Sequence, residues 1–138
     1  MKQISVFLEN KPGSLHTILK TMTEWGVNLR ALALADTAEF GVLRFIVANP
    51  EGLLEKLKKG NFTATITEIL VVAVADRPGG LSEVVELLTK NGFSIEYLYA
   101  FVTPLGNGAY VVLRVEEYPK AQELLRNHGI LLLEDFEL

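Results

Sequence analysis

Sliding the sequence against itself by 66 residues superimposes two halves of the chain. Asn10-Lys11-Pro12-Gly13-Ser14-Leu15 falls on Asp76-Arg77-Pro78-Gly79-Gly80-Leu81. The register holds through Trp25-Gly26-Val27-Asn28-Leu29 and Asn91-Gly92-Phe93-Ser94-Ile95. It then slips by about two residues at Gly41 and Gly106/Gly108, where the second copy carries the longer turn TPLGNG. A duplication over essentially the whole chain means one supersecondary unit used twice. With 138 residues the chain suits one ordinary domain or two very small ones, and the duplication divides it into 1–68 and 69–138. The junction, TATITEILVVAVAD, has no Pro, Gly or Ser-rich linker, so the copies are expected to be locked together.

Each copy reads as strand, helix, strand, strand, helix, strand. Ile4, Val6 and Leu8 alternate with Ser5 and Glu9, which is strand periodicity. Leu15, Ile18, Leu19, Met22 and Trp25 recur at helical spacing, matched by Leu81, Val84, Val85 and Leu88. Gly26 and Gly92 stand where a helix ends in a left-handed residue. Strands are expected over 27–36 and 93–103, returning through 42–47 and 109–115. Pro50 and Pro119 open short helices reaching about Lys59 and Asn127, and 62–67 and 130–133 close the units. Right-handed crossovers then put both helices on one face of a four-stranded antiparallel sheet. The fold class is α+β: two ferredoxin-like βαββαβ repeats side by side, their sheets joined into one eight-stranded sheet.

Between the first strand and first helix of each copy lies the doubled turn. Proline fixes φ near −65° and lacks an N–H, which suits the entry to a helix. Glycine permits a sharp turn and the close approach of another group. The helix that follows presents unpaired N–H donors and a partial positive charge, where a carboxylate binds well. Asn10 or Asp76 adds an acceptor suited to an ammonium group, so the combination fits a free amino acid. Tight β-to-α connections also favour Pro, Gly, Asp and Asn for geometry alone. From these residues, an inert turn and a binding loop both remain open.

A strand followed by D/N-x-P-G-x-L, an amphipathic helix and G-[VI]-N-[IL] in a βαββαβ frame resembles the ACT domain, the amino-acid-sensing module of metabolic regulation. The resemblance covers both repeats. It implies a tandem amino-acid-binding regulator without catalytic activity, whose ligand lies between two units. One Pro-Gly loop and the start of a neighbour's second strand would hold it. The implied site residues are Asn10, Lys11, Pro12, Gly13, Ser14 and Leu15 in one loop and Asp76, Arg77, Pro78, Gly79, Gly80 and Leu81 in the other. Asn28 matches the G-V-N-I asparagine, and Ser94 stands at that place in the second copy. Asp76 would face Asn28 and Asn10 would face Ser94, so the two sites are not equivalent. A serine-sensing relative has a histidine two residues before the loop Asn/Asp. Leu8 and Val74 stand there, which disfavours serine.

Composition narrows the rivals. Eight bases against seven acids in residues 1–68, and five against ten in 69–138, argue against a polyanion partner, so no nucleic acid is expected. There is no cysteine, which removes disulfides and thiolate chemistry. No signal segment and no apolar run of bilayer length are evident, so no membrane is expected and a cytoplasmic location is. His16 and His128 are far apart and lack ligand spacing, so no metal is expected, nor any cofactor. No Ser/His/Asp set or distinctive carboxylate pair suggests catalysis. An acylphosphatase-like enzyme would need an arginine pattern the loop does not show. The alternative to a sensor is a trans-acting regulatory subunit of an amino-acid biosynthetic enzyme, acetolactate-synthase-like.

Tyr97, Tyr99 and Phe101 alternate where the first copy has Ala31, Ala33 and Ala35; large rings of this kind are expected to pack against the helices. Leu32, Leu34, Leu98, Ala100 and Val102 would then lie on the opposite sheet face, with Arg30, Arg44, Glu96 and Arg114 among them. That face is too apolar for a solvated surface. With 49% hydrophobic residues and a mean hydropathy of +0.27, a homodimer through sheet faces is expected.

Overall fold

The computed structural model describes residues 1–36, 39–102 and 108–134, without the side chain of Val102. The turn residues 103–107 and the tail beyond Glu134 lie outside the described residues, as does the side-chain orientation expected for Val102. Packing divides the chain into two compact units: Lys2–Thr67, and Glu68 onward together with Met1.

The first unit runs β1 (Lys2–Glu9), α1 (Ser14–Glu24), β2 (Ala31–Asp36), β3 (Phe40–Ile46), α2 (Pro50–Lys59) and β4 (Thr63–Glu68). Its sheet has the order β2-β3-β1-β4, the ferredoxin-like order produced by two interleaved crossovers. The second unit runs β5 (Leu70–Val74), α3 (Gly80–Lys90), β6 (Ile95–Val102), β7 (Ala109–Val115) and α4 (Tyr118–Asn127). Its sheet has the order β5-β7-β6. The expected closing strand is reduced to a bridge between Val72 and Leu132, flanked by Ala73 N–H to Leu131 O (2.9 Å) and Leu133 N–H to Val71 O (2.8 Å).

Among the described residues the strands thus form a sheet of four and a sheet of three, not one eight-stranded sheet. Only Ile69 separates β4 from β5.

Every helix buries an i, i+4 pair of apolar side chains: Ile18 and Met22 in α1, Leu53 and Leu57 in α2, Val84 and Leu88 in α3, Ala121 and Leu125 in α4. These pairs meet Ile4, Val6, Leu43 and Phe45 in one core, and Leu70, Val72, Val111 and Leu113 in the other. α2 starts at Pro50, with Asn49 Oδ1 accepting from Gly52 N–H at 3.2 Å as its cap. Lys2 Nζ lies 2.6 Å from Glu51 Oε1 and ties β1 to the first turn of α2. That bond, then Glu51's own backbone N–H, holds this carboxyl below its ordinary range. Its contribution is present above the ordinary carboxylate pKa and fades as pH falls through the depressed value.

Strand register reverses the expectation for the two sheet faces. Leu98 and Ala100 pair with Leu113 and Val111, and Leu32 and Leu34 with Phe45 and Leu43, so these lie on the helix-facing side. Tyr97, Tyr99 and Phe101 pair with Arg114, Val112 and Tyr110 on the side away from the helices. Phe101 stacks on Tyr110 with centroids 5.6 Å apart. The reason is Arg114 (and Arg44, opposite Ala33): a guanidinium cannot enter the helix-packed core, and its alternation partners follow it to the other side.

Candidate functional site

The two loops are built alike, bond for bond. Lys11 N–H donates to Glu9 O at 2.9 Å and Ser14 N–H to Lys11 O at 3.3 Å; Arg77 N–H donates to Ala75 O at 2.9 Å and Gly80 N–H to Arg77 O at 3.1 Å. The first bond of each pair closes a three-residue turn centred on Asn10 or Asp76. Gly13 and Gly79 are the N-caps of α1 and α3 with φ of 90° and 89°, a left-handed conformation that a Cβ disfavours. Among the described residues no side chain caps either helix, so the first-turn donors that follow Ser14 and Gly80 are left to solvent or to a ligand.

The loops differ in what surrounds that frame. Gly80 is buried, and a Cβ on it would overlap the carbonyl of Ala75, 3.1 Å from the carbonyl carbon. Ser14 carries a side chain at the equivalent place and is partly exposed. Asn10 Nδ2 reaches Asp36 Oδ2 at 3.4 Å, whereas Asp76 is exposed and makes no hydrogen bond or ion pair among the described residues. Both basic loop residues are engaged: Lys11 Nζ with Glu9 at 3.0 Å and Arg77 Nη2 with Glu83 at 2.6 Å. These pairs are exposed and worth at most about 1 kcal/mol each, so a ligand exchanges them at little cost.

A cavity of about 770 Å³ opens beside the first loop. Lys11, Pro12, Gly13 and Ser14 line it, together with Glu9, Thr17, Phe7, Phe40, Phe62 and Asn61. A smaller one of about 180 Å³ lies on the loop's other flank, against Asn10, Leu15, Leu34 and Asp36. Asn28 does not join its own repeat's loop. It lines a cavity of about 320 Å³ with Arg30, Asn49 and Lys56, whose ammonium lies 5.9 Å from the Trp25 ring. Ser94 lines one of about 200 Å³ with Glu96, Glu116 and Glu117. The two places differ in sign of charge, so Asn28 and Ser94 are not chemically interchangeable. His16 is exposed on the first turn of α1, and the His128 ring lies 2.9 Å from Leu124 O at the end of α4.

The aromatic wall of the first cavity escapes a reading built on what the two copies share. It was visible in what they do not share: Phe7 aligns with Ala73, and Phe40 with Gly108 once the two-residue slip is applied.

Two ferredoxin-like units with matching strand-to-helix loops define a tandem pair of one small α+β module. The model of the ACT domain pair matches residues 1–138, and the chain belongs to that family. No curated protein matches the sequence. Among solved structures, protein BT0572 from Bacteroides thetaiotaomicron is 37% identical, with 96% of this chain and 90% of that chain covered and a TM-score of 0.88. The ligand-free regulatory subunit of aspartate kinase from Thermus thermophilus shares the fold at 17% identity, covering 93% of this chain and 90% of that one, with a TM-score of 0.65. The corresponding Thermus flavus subunit is also 17% identical over the same shares, with a TM-score of 0.59.

Proposed function

We propose that the protein is a non-catalytic amino-acid-binding regulator whose ligands are held at the Pro-Gly loops. The observation that carries this reading is the doubled loop. Two copies of one hydrogen-bonded frame each offer uncapped helix donors for a carboxylate beside Asn10 or Asp76 for an ammonium group. The large cavity at the first loop adds room for a side chain. Asn28 and Ser94, which lie away from their own loops, contribute from a repeat other than the loop's own.

A thermal-shift panel of the twenty amino acids tests it. At a hundredfold excess over Kd, a bound ligand stabilises by about 2.7 kcal/mol. For a chain of this size that raises Tm by about 5–10 °C. A flat panel at millimolar concentrations would remove the sensor reading and leave a role exerted through binding a biosynthetic enzyme.

The regulator is further proposed to act as a homodimer. Leu32 and Leu34 are 51% and 49% exposed on edge strand β2, and Leu98 is 41% exposed on edge strand β6. Exposed edges flanked by large apolar side chains favour pairing with another chain. Light scattering at micromolar concentration is expected to give at least twice the 15.3 kDa chain mass. A lone 15.3 kDa species would remove the dimer.

A further inference from the structure

We propose that the first-repeat cavity selects free amino acids with a large apolar side chain, aromatic or branched, and that the second repeat lacks this selectivity; the inference rests on the amino-acid-binding reading above. Phe7 and Phe40 are 46% and 49% exposed at the cavity, and Phe62 adds a third ring. Solvent-facing phenyl rings that line a hollow, instead of lying scattered, mark a place where an apolar group is covered. The volume of about 770 Å³ falls in the range of small-molecule sites. The lining also holds Glu9 and Lys11, whose charged groups lie 3.0 Å apart. On this flank of the loop Glu9, in place of Asn10, matches an α-ammonium, and Lys11 joins the helix donors at an α-carboxylate, so a zwitterion replaces one exposed ion pair by two. The rings then receive the side chain.

A second feature is independent of the rings. Asn61 is the one non-glycine residue with positive φ (65°) among the described residues, and it lines the cavity. The equivalent helix stop in the second repeat uses Gly129, φ 74°. Glycine adopts this conformation at no steric cost, and asparagine is tolerated there. The first repeat therefore keeps a hydrogen-bonding amide on the cavity wall where the second keeps none. Phe7, Phe40, Asn61 and Phe62 are matched by Ala73, Gly108, Gly129 and Ile130, so the wall belongs to one copy only.

Calorimetric titration with L-phenylalanine, L-leucine, glycine and L-aspartate decides the matter. L-Phenylalanine and L-leucine are expected to bind at least tenfold more tightly than glycine or L-aspartate at one binding equivalent. Phe7→Ala and Phe40→Ala should each weaken that equivalent at least tenfold or abolish it, while Phe40→Leu retains most of it. Both positions are half-exposed, and circular dichroism confirms that the variants fold. Tighter binding of glycine or L-aspartate, or unchanged affinity and stoichiometry in both alanine variants, overturns the selectivity and leaves the amino-acid reading standing. If none of the twenty amino acids binds, both readings fall.

Discussion

Gly80→Ala is expected to lower the melting temperature by roughly 10 °C, the consequence of losing about 3 kcal/mol to overpacking. The new Cβ would overlap the Ala75 carbonyl, and backbone on both sides is pinned. Arg77 N–H holds Ala75 O at 2.9 Å, and Gly80 N–H holds Arg77 O at 3.1 Å. Relief requires the strand end or the helix start to move, and α3 buries Val84 and Leu88 immediately beyond. Two controls separate overlap from backbone strain. Gly79→Ala places a Cβ at φ 89° with, among the described residues, only the Arg77 guanidinium within 4 Å, so it should cost about 1–2 kcal/mol. Ser14→Gly removes a side chain the first loop already accommodates and should change stability by at most about 1 kcal/mol. Thermal denaturation of the three variants gives the ranking. A Gly80→Ala protein melting within a degree or two of the parent would mean that the turn yields, and that its geometry does not fix Asp76.

Much of this architecture is legible because duplication presents each signal twice. A single Pro-Gly pair is an ordinary turn; a second at the same phase of a strand-to-helix pattern ties it to a repeated frame. Helix bounds at Pro50–Lys59 and Tyr118–Asn127 follow from Pro50 and Pro119 at helix entries and from apolar spacing. Sheet faces were harder. Alternation divides Tyr97, Leu98, Tyr99 and Ala100 between two sides but does not say which side meets the helices. Ring size pointed one way, and the charge of Arg114 on the neighbouring strand decided the other. Matching repeats likewise say nothing about strand pairing from one copy to the other, and among the described residues the strands form a sheet of four and a sheet of three. The aromatic cavity was hidden because Phe7 and Phe40 sit on sheet positions that look like any strand hydrophobe until the end of β1, the start of β3 and the Asn61 turn are brought together.

Asp76→Ala should weaken amino-acid binding at the second loop about ten- to a hundredfold, the loss of a charge-assisted hydrogen bond worth roughly 1.5–3 kcal/mol. The usual structural excuse for such an effect is absent. A turn aspartate often caps the following helix, and its removal then costs about 1 kcal/mol of stability. Here Gly79 occupies the N-cap of α3 with no side-chain cap bond, and Asp76 has no partner among the described residues. The variant should therefore melt within a few degrees of the parent. Asn10→Ala is the internal comparison. Its amide already holds Asp36 at 3.4 Å and carries no charge, so a ligand ammonium gains less from it and the loss should be under tenfold. The two loops are separated by titrating Phe40→Ala and the double variant Phe40→Ala/Asp76→Ala with the best ligand of the panel, since the first change silences the first-repeat cavity. Loss of the remaining binding in the double variant at an unchanged Tm assigns Asp76 to the ligand. Retained binding with a lowered Tm would return the loop to turn chemistry, and the carboxylate would then serve only to shape the chain between Ala75 and Arg77.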